Sequence, residues 1–434
     1  MTVGLGLLFL CCGSAPLSAS LNISVSHYQL KNGLQVILSE DFTLPLISVA
    51  VTYKAGSLHD PPGKSGLAYL IENLMFLGSD NVGQMQHIGY VTRTGGTLNA
   101  ATMADRTIFY QTVPSNQLAL VLWLESDRMK SLQVSPAKVE AAKNELLSEL
   151  RRRHQETPYL EAFFRFDRML FPAPAAHRPI IGLEEDIKSI TYEDAQNFHR
   201  QRYGPQNALL CVTGSFNTLQ LRDLVNRYFE SIPRSHDTLP PPVLPEPDKT
   251  SGMETSRAAS IPAPSVLVGF RIHSARAVDM HVLTLIDYIL CRGKTSRLVQ
   301  RTIKRDRLAS QITGSLERRG DLAAYRIFAV NNSEYSARLC VGSIYSELAR
   351  MRTNFISEEE LNRAKNRWKK DLLNRLSSRA DKALFLSELA LNYGDPRAGS
   401  LDIGRFQEVT PLMIAGLLNR YFYKENSQVL YILK

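Results

Sequence analysis

Long apolar runs and strong charge excess are both lacking in this chain, which narrows the classes of protein it can belong to. No uninterrupted apolar stretch among the 434 residues approaches the ~20 residues that a membrane-spanning helix needs. Hydrophobic residues make up 44% and charged residues 21% of the sequence, which is ordinary for a folded soluble protein. The length allows two domains with separate cores.

Cysteine is scarce, with five in the chain. Two of them fall in the first 20 residues, and Cys211, Cys291 and Cys340 are widely separated in apolar surroundings. This pattern provides neither a disulfide framework nor a zinc knuckle. We therefore predict that these three cysteines are buried core residues.

Clustered positive charge is also lacking, although the net charge is +9. Lysine and arginine are spread along the chain, with only short runs such as those at 151–153 and 304–305. A nucleic-acid-binding protein would gather them on one face beside stacking aromatic residues, so we predict no nucleic-acid partner. Attraction to anionic lipid or to acidic partners stays open.

The first 20 residues, MTVGLGLLFLCCGSAPLSAS, contain no charged residue. An apolar run from Val3 to Cys12 is followed by small residues at 18–20, which is the arrangement of a secretory signal peptide. We expect 1–20 to be such a signal and the protein to be exported. The run lacks the usual lysine or arginine near its start, so an apolar tail or a misassigned start is the alternative.

A proline-rich stretch at 234–258 divides the rest of the sequence into two parts of similar length. It is polar and poor in large apolar residues, so we predict a linker between an N-terminal domain at 25–233 and a C-terminal domain at 259–434. Both parts mix runs typical of strands with amphipathic stretches typical of helices, so the expected class is α+β, with a duplicated unit. Strands are predicted at 34–40, 46–56, 207–215, 265–272, 309–316, 322–330 and 427–434, with two more inside 95–114, and helices at 66–79, 118–132, 135–155, 217–232, 281–291, 297–307, 336–352 and 357–378.

The helix predicted at 66–79, GLAYLIENLMFLGS, carries an unusual polar group. Its leucines recur at three- and four-residue steps, and Tyr69, Glu72 and Asn73 share one face. Histidines at the first and last of these three positions would present two imidazoles to a zinc ion. The glutamate would then be the general base for zinc-bound water, as in the inverted zincin motif H-x-x-E-H. Only the glutamate of that motif is present.

The surroundings of this helix make the motif specific. The segment at 66–79 resembles the G-L-A-H-x-x-E-H-x-x-F-x-G-[ST] segment of the pitrilysin-like M16 zinc metallopeptidases. Residues 95–129, 149–159 and 294–300 are similar to further segments of that family, in the same order. The resemblance spans roughly 28–434. It implies two homologous pitrilysin/processing-peptidase-like domains, each a mainly antiparallel sheet with helices packed on one face. One such chain is half a clamshell in this family, so the resemblance also implies a partner, either a second copy or a zinc-bearing M16 relative.

The resemblance assigns the third zinc ligand to Glu149, with Glu145 as the second-best register. A further acidic residue of the family is replaced by Ala142. Zinc prefers nitrogen and sulfur ligands, and neither a phenol nor an amide replaces an imidazole. We therefore expect that no zinc is bound and that Tyr69, Asn73 and the two glutamates hydrogen-bond one another. The alternative is a rebuilt metal site that uses His87, which we otherwise expect, like His154, to face solvent.

The second domain departs from the family as well. Active members place an arginine and a tyrosine opposite the zinc, and the matching positions here are Ile303 and Ser310. The family's peptide-binding edge strand is retained, because Asn99 and Ala100 begin the N-A-x-T segment. They are the predicted substrate-binding residues. An equally weighted alternative is that Asn99 satisfies the hydrogen bonds of a turn and that Asp105 and Arg106 form a structural ion pair.

These residues favour a catalytically silent M16 homologue in the envelope or periplasm of a Gram-negative bacterium, binding a peptide or unfolded segment, or an active partner subunit. In this interpretation Glu72 is the remnant of the general base and Glu149 the remnant of a metal ligand. A second hypothesis is an active zinc metalloendopeptidase with substituted ligands, since both glutamates are retained. A third is a purely structural subunit.

Overall fold

The computed structural model describes residues 23–235, 244–245, 250–272 and 277–434. The predicted signal peptide at 1–20 and much of the predicted linker lie outside the described residues. The strands within these ranges are β1 Ser26–Gln29, β2 Gln35–Glu40, β3 Leu46–Tyr53, β4 Thr97–Thr102, β5 Thr107–Pro114, β6 Ala208–Gly214, β7 Gly252–Arg257, β8 Ser265–Ile272, β9 Ala309–Arg319, β10 Leu322–Asn331 and β11 Ser427–Leu433. The α-helices are α1 Leu67–Leu74, α2 Gln86–Arg93, α3 Leu118–Ser131, α4 Pro136–Glu156, α5 Leu160–Leu170, α6 Pro174–His177, α7 Glu184–Ser189, α8 Tyr192–Arg202, α9 Thr218–Phe229, α10 Ala277–Leu290, α11 Glu334–Thr353, α12 Glu358–Ser377, α13 Arg379–Tyr393, α14 Ala398–Glu408 and α15 Pro411–Tyr421.

The first sheet has the strand order β1-β2-β6-β3-β5-β4. Only the β2–β6 pairing is parallel, and the other four pairings are antiparallel. Helices α1, α3, α4, α8 and α9 bury apolar side chains against one face of this sheet. Strand β4 lies at the edge of the sheet and pairs only with β5 among the described strands.

The second sheet repeats this plan in the order β7-β11-β8-β10-β9. Again one pairing is parallel, here β7 with β11, and the rest are antiparallel. Helices α10, α11 and α15 pack on one face. The predicted α+β class with two similar mainly antiparallel units is confirmed.

Part of the predicted linker forms a strand, because Gly252–Arg257 (β7) belongs to the second sheet. The strand lies at the sheet edge, and its side chains alternate between half-buried and exposed. It therefore needs few large apolar residues, and its backbone pairing with β11 holds it in the sheet. A mostly polar composition therefore predicts a linker even where the backbone is paired in a sheet.

Each half also supplies one helix to the other half's sheet. Helix α5 packs Phe166 and Leu170 against Leu267 of β8 and Leu430 of β11. In the opposite direction, α13 packs on the second face of the first sheet, so both faces of that sheet are covered. This exchange explains why β3 and β6 are buried at almost every position rather than on one face only.

A buried arginine fastens the exchanged helix α5. The Arg271 side chain on β8 donates to the carbonyls of Leu170 at 3.1 Å and Met169 at 2.5 Å, and to that of Thr250 at 3.2 Å. The carbonyls at the last turn of a helix have no partner within the helix, so a buried cation there satisfies them and complements the helix dipole. The contact joins the C-terminus of α5 to the second sheet.

The three predicted core cysteines are buried and free. Cys211 lies in β6, Cys291 directly follows α10, and Cys340 lies in α11. Burial raises the pKa of the Cys211 and Cys291 thiols to about 12, so both are protonated and inert at neutral pH. None of the described helices is both long and apolar enough to cross a membrane.

Candidate functional site

The site is built on α1, the helix of the altered zincin motif. Leu67, Leu70 and Leu74 are buried in the first core, which turns the opposite face with the polar side chains towards solvent. The helix begins after Gly66, which has a left-handed φ of 91°. A Cβ at Gly66 would lie 2.6 Å from the carbonyl oxygen of Ile181, so only glycine fits this approach.

Asp60 caps the N-terminus of α1 from six residues upstream. Its two carboxylate oxygens accept from the backbone amides of Gly66 at 2.9 Å and Ala68 at 2.8 Å. These amides have no partner within the helix, so the carboxylate stabilises its first turn and fixes its direction. Burial nevertheless raises the pKa of Asp60 to about 7.

Tyr69, Glu149 and Arg153 form one hydrogen-bonded cluster. The Tyr69 hydroxyl oxygen lies 3.0 Å from both carboxylate oxygens of Glu149, to which it donates. Arg153 donates to Glu149 Oε1 from Nε at 2.9 Å and from Nη2 at 2.5 Å. The same Nη2 donates to the Tyr69 hydroxyl at 3.1 Å. Helices α1 and α4 are therefore joined at Glu149, the residue that the sequence resemblance predicts as a metal ligand.

The phenol of Tyr69 is held in its protonated form. Burial and the neighbouring Glu149 carboxylate raise its pKa well above the ordinary value near 10. A protonated phenol is a hydrogen-bond donor to Glu149 and a poor metal ligand. The residue at the first histidine position thus stabilises the carboxylate instead of sharing a metal with it.

Glu72 lies apart from this cluster, beside the edge strand. Its Oε2 accepts from the hydroxyl of Thr102, the last residue of β4, at 2.5 Å. Thr102 in turn lies 3.3 Å from the hydroxyl of Thr107. Burial, with a smaller contribution from Glu149, raises the pKa of Glu72 above its ordinary value. In the described part of the chain no side chain forms a direct ion pair with Glu72, although the more distant Arg153 acts to lower its pKa.

Asn73 completes the polar face but takes no part in either carboxylate's contacts. Its side-chain amide donates to the backbone carbonyl of Tyr69 at 3.2 Å, within the same helix. The prediction that all four polar residues bond one another is therefore wrong in part. Tyr69 and Glu149 meet, while Asn73 turns back to its own helix and Glu72 bonds to Thr102.

Which of the two glutamates on α4 lies beside Tyr69 depends on the face of α4 that meets α1. Glu149 faces Tyr69 with 18% of its side chain exposed, whereas Glu145 is exposed on α4. Ala142, seven residues earlier, is buried in the first core. Glu149 is therefore the glutamate of α4 that contacts the polar face of α1, and the assignment of the third ligand stays a prediction.

The residues present do not fit a zinc ion. Tyr69 and Arg153 already bind the carboxylate of Glu149, and Arg153 places a positive charge where a metal would need the ligand's free electron pairs. Neither Tyr69 nor Asn73 provides a nitrogen lone pair. No group of three or more His, Cys, Asp or Glu side chains in the described ranges is arranged to hold a metal ion.

His87, the alternative metal ligand, does not lie at the surface as the sequence predicts. His87 is 4% exposed, so the prediction that it faces solvent is wrong. Its Nε2 lies 3.2 Å from Oε1 of Gln111, and the amide nitrogen Nε2 of Gln111 donates to Glu125. Burial and the neighbouring Arg128 lower the pKa of His87 to about 3. His154 is exposed as predicted and pairs with Glu161 at 3.1 Å.

The two positions in the second domain are structural. Ile303 packs against the second core, in a π-helical turn at Val299–Arg305 where the sequence predicts an ordinary helix. The hydroxyl of Ser310 donates to the carbonyl of Val330 at 3.3 Å, across β9 and β10. Neither side chain carries a charge, so neither can stabilise a developing oxyanion as an arginine would.

Asn99 and Ala100 lie on the edge strand β4, not in a turn. The Asn99 side chain accepts from the amide of Ala100 at 2.9 Å and donates to the Tyr110 hydroxyl at 3.3 Å. Both carboxylate oxygens of Asp105 accept from Arg106 at 3.2 Å. The strand is open on one side among the described elements, which leaves room for an added strand.

Two residues of the site were missed by the sequence reasoning. Arg153 is four residues after Glu149 on a predicted helix. This spacing favours an ion pair, so the sequence alone could have predicted the contact. Thr102 meets Glu72 only because β4 packs beside α1, and no local pattern predicts that contact.

Comparison with known proteins gives a consistent result. The family description "Insulinase (Peptidase family M16)" matches residues 35–166, and "Peptidase M16 inactive domain" matches 189–367. The zinc protease PqqE of Helicobacter pylori is 28% identical over 409 residues, covering 93% of this chain and 91% of that protein. An uncharacterized zinc protease of Mycobacterium leprae, ML0855, is 25% identical over 419 residues, covering 95% and 92%.

Solved structures share the fold over nearly the whole chain. The crystal structure of a protease from Helicobacter pylori has a TM-score of 0.89 at 26% identity and covers 95% of this chain and 100% of its own. A peptidase M16 inactive domain from Pseudomonas fluorescens has a TM-score of 0.82 at 15% identity, covering 94% and 98%. The second likeness supports the fold alone.

Proposed function

Because this chain belongs to the peptidase M16 family, we propose that it is a catalytically silent member that binds an extended peptide segment or a partner subunit. The cluster of Tyr69, Glu149 and Arg153 is the observation that carries this proposal. Hydrolysis by an H-x-x-E-H site requires a metal-bound water. A carboxylate already bound to a guanidinium and a phenol has no role in such chemistry.

The proposed binding mode is addition of a peptide strand to β4. The edge of β4 away from β5 has no neighbour among the described strands, so its backbone groups can pair with an extended segment. Asn99 and Ala100 lie on this strand and are the proposed peptide-contacting residues. Main-chain pairing accommodates many sequences, which suits a protein that holds an unfolded segment.

The proposed setting is the envelope of a Gram-negative bacterium, in a complex with a second M16 subunit. The apolar, uncharged stretch at 1–20 supports export. The partner is either a zinc-bearing relative or a second copy of this chain. A zinc-bearing partner would supply the metal ligands that Tyr69 and Asn73 do not.

Two measurements on the mature chain, purified from its host without chelator, test this function. A native mass spectrum should show no zinc per copy, and cleavage of an unfolded protein substrate should not depend on chelator. Glu72→Gln reports contaminating protease, because contaminant activity persists in that variant. Chelator-sensitive cleavage that disappears in Glu72→Gln would favour the alternative, an active metalloendopeptidase with substituted ligands.

A further inference from the structure

The two glutamates of the site differ in how their charges are balanced. Glu149 accepts two hydrogen bonds from Arg153 and one bifurcated bond from Tyr69, so its charge is neutralised within the protein. Glu72 accepts from the neutral hydroxyl of Thr102. Among the described side chains none forms an ion pair with Glu72. One carboxylate of the site therefore lacks a directly bound cation, since Arg153 acts on Glu72 only from a distance.

The position of this carboxylate relates it to the proposed peptide strand. Thr102, its hydrogen-bond partner, is the last residue of the edge strand β4. Glu72 itself is partly exposed, so a ligand atom can reach it. A peptide added to β4 would pass beside Glu72 with side chains alternating towards and away from α1. Every second residue of such a peptide is a candidate to contact the carboxylate.

We propose that the ligand supplies the missing cation, and that Glu72 binds an ammonium or guanidinium group of the peptide held on β4. This inference rests on the proposed peptide-binding function and specifies its ligand class. A partly desolvated carboxylate without a cation is unfavourable, and an incoming lysine or arginine restores the charge balance with a charge-assisted hydrogen bond. Arg153 does not compete for Glu72, because Glu149 and Tyr69 hold it.

The same reasoning disfavours acidic ligands. Glu149 lies close enough to Glu72 to influence its ionisation, so the site contains two carboxylates and one guanidinium. An acidic side chain at this position would meet like charge and lose affinity. The preference for basic over neutral over acidic residues is therefore the signature of the proposed contact.

Fluorescence anisotropy with the full-length chain tests the proposal. The probes are short labelled peptides of uncharged β-forming residues, blocked at both ends, with one central lysine, norleucine or glutamate. A fourth peptide carries norleucine and a free N-terminal amine. We expect the lysine peptide to bind about tenfold more tightly than the norleucine peptide, since one charge-assisted hydrogen bond contributes roughly this factor. A gain for the free-amine peptide instead would identify the N-terminus as the source of the cation.

Glu72→Gln supplies the decisive variant and Glu145→Gln its control. The first should remove the lysine preference, because a neutral amide cannot form a charge-assisted hydrogen bond with an ammonium group. The second removes an equal charge from an exposed position on α4 and should keep the preference. Equal binding of all peptides to the wild type would overturn the cation assignment alone. Absence of any peptide binding would overturn the peptide-binding function as well.

Discussion

The Arg153 guanidinium binds the carboxylate of Glu149 one helical turn away, with Nη2 2.5 Å and Nε 2.9 Å from the same oxygen. Its Nη2 also donates to the hydroxyl of Tyr69. Arg153 thus binds both Glu149, the predicted third ligand, and Tyr69, the residue at the first histidine position. The cation of this cluster is part of the protein, which has consequences for metal binding, stability and pH dependence.

Restoring both imidazoles should not by itself restore a good zinc site. In Tyr69→His/Asn73→His, Arg153 still pairs with Glu149 and repels a divalent cation. Adding Arg153→Ala to this double variant should lower the Kd for zinc by more than about tenfold, the scale of effects that partners of ligands have on metal affinity. Isothermal titration with zinc measures both constants.

The matched control for this comparison is Arg152→Ala in the same double variant. Arg152 pairs with Glu156 on the exposed side of α4, so its removal changes net charge equally without freeing Glu149. Equal zinc affinity of the two triple variants would contradict the assignment of Arg153 as the internal cation.

Arg153 should also contribute to stability, although modestly. Arg153→Met leaves Glu149, which is 18% exposed, without its charged partner, and 41% of the Arg153 side chain is itself exposed. We expect the free energy of unfolding to fall by about 1 kcal/mol, reduced by solvent screening from the value for a buried pair. Arg152→Met breaks a pair whose side chains are 60% and 61% exposed and should cost less than about 0.5 kcal/mol. Urea denaturation of both variants checks the difference, and equal losses would contradict it.

Glu72 should make stability fall as pH rises. Because burial raises its pKa in the folded state, the folded protein binds a proton at Glu72 more readily than the unfolded chain does. The stabilisation is complete below the unfolded pKa, near ~4.3, and is lost as pH rises through the folded value. Glu72→Gln lacks this dependence. Its free energy of unfolding relative to wild type should therefore increase from about pH 4 towards neutrality, as measured by urea denaturation at each pH. A constant or falling difference would show that Glu72 is not desolvated.

The exchanged helix α13 should be required for the stability of the first half. Leu386 is fully buried between α13 and the first sheet. Leu386→Ala should lower the free energy of unfolding by about 3 kcal/mol, the usual cost of such a cavity. Leu373→Ala on α12 is the control, because Leu373 is 42% exposed. Hydrogen exchange should show protection lost in β3 and β6 of the Leu386 variant. If the increase in hydrogen exchange is limited to α13, the helix unfolds independently of the first sheet and the prediction is wrong.

The sequence by itself determined the two-part α+β plan and the polar face of α1. These features follow from local periodicity, because residues that share a helix face or a strand face recur at fixed spacing. Local spacing also predicts the ion pair of Glu149 with Arg153, because the two residues are one turn apart on a single helix.

Only the tertiary structure decided which faces meet. The apolar pattern of β3 and α5 shows that both are buried, but not that each packs partly on an element of the other half. The same holds for the burial of His87, for the bond between Glu72 and Thr102 and for the pairing of β7 with β11. These contacts join residues far apart in the chain, and hydrophobic burial is non-directional, so local periodicity does not specify the partner.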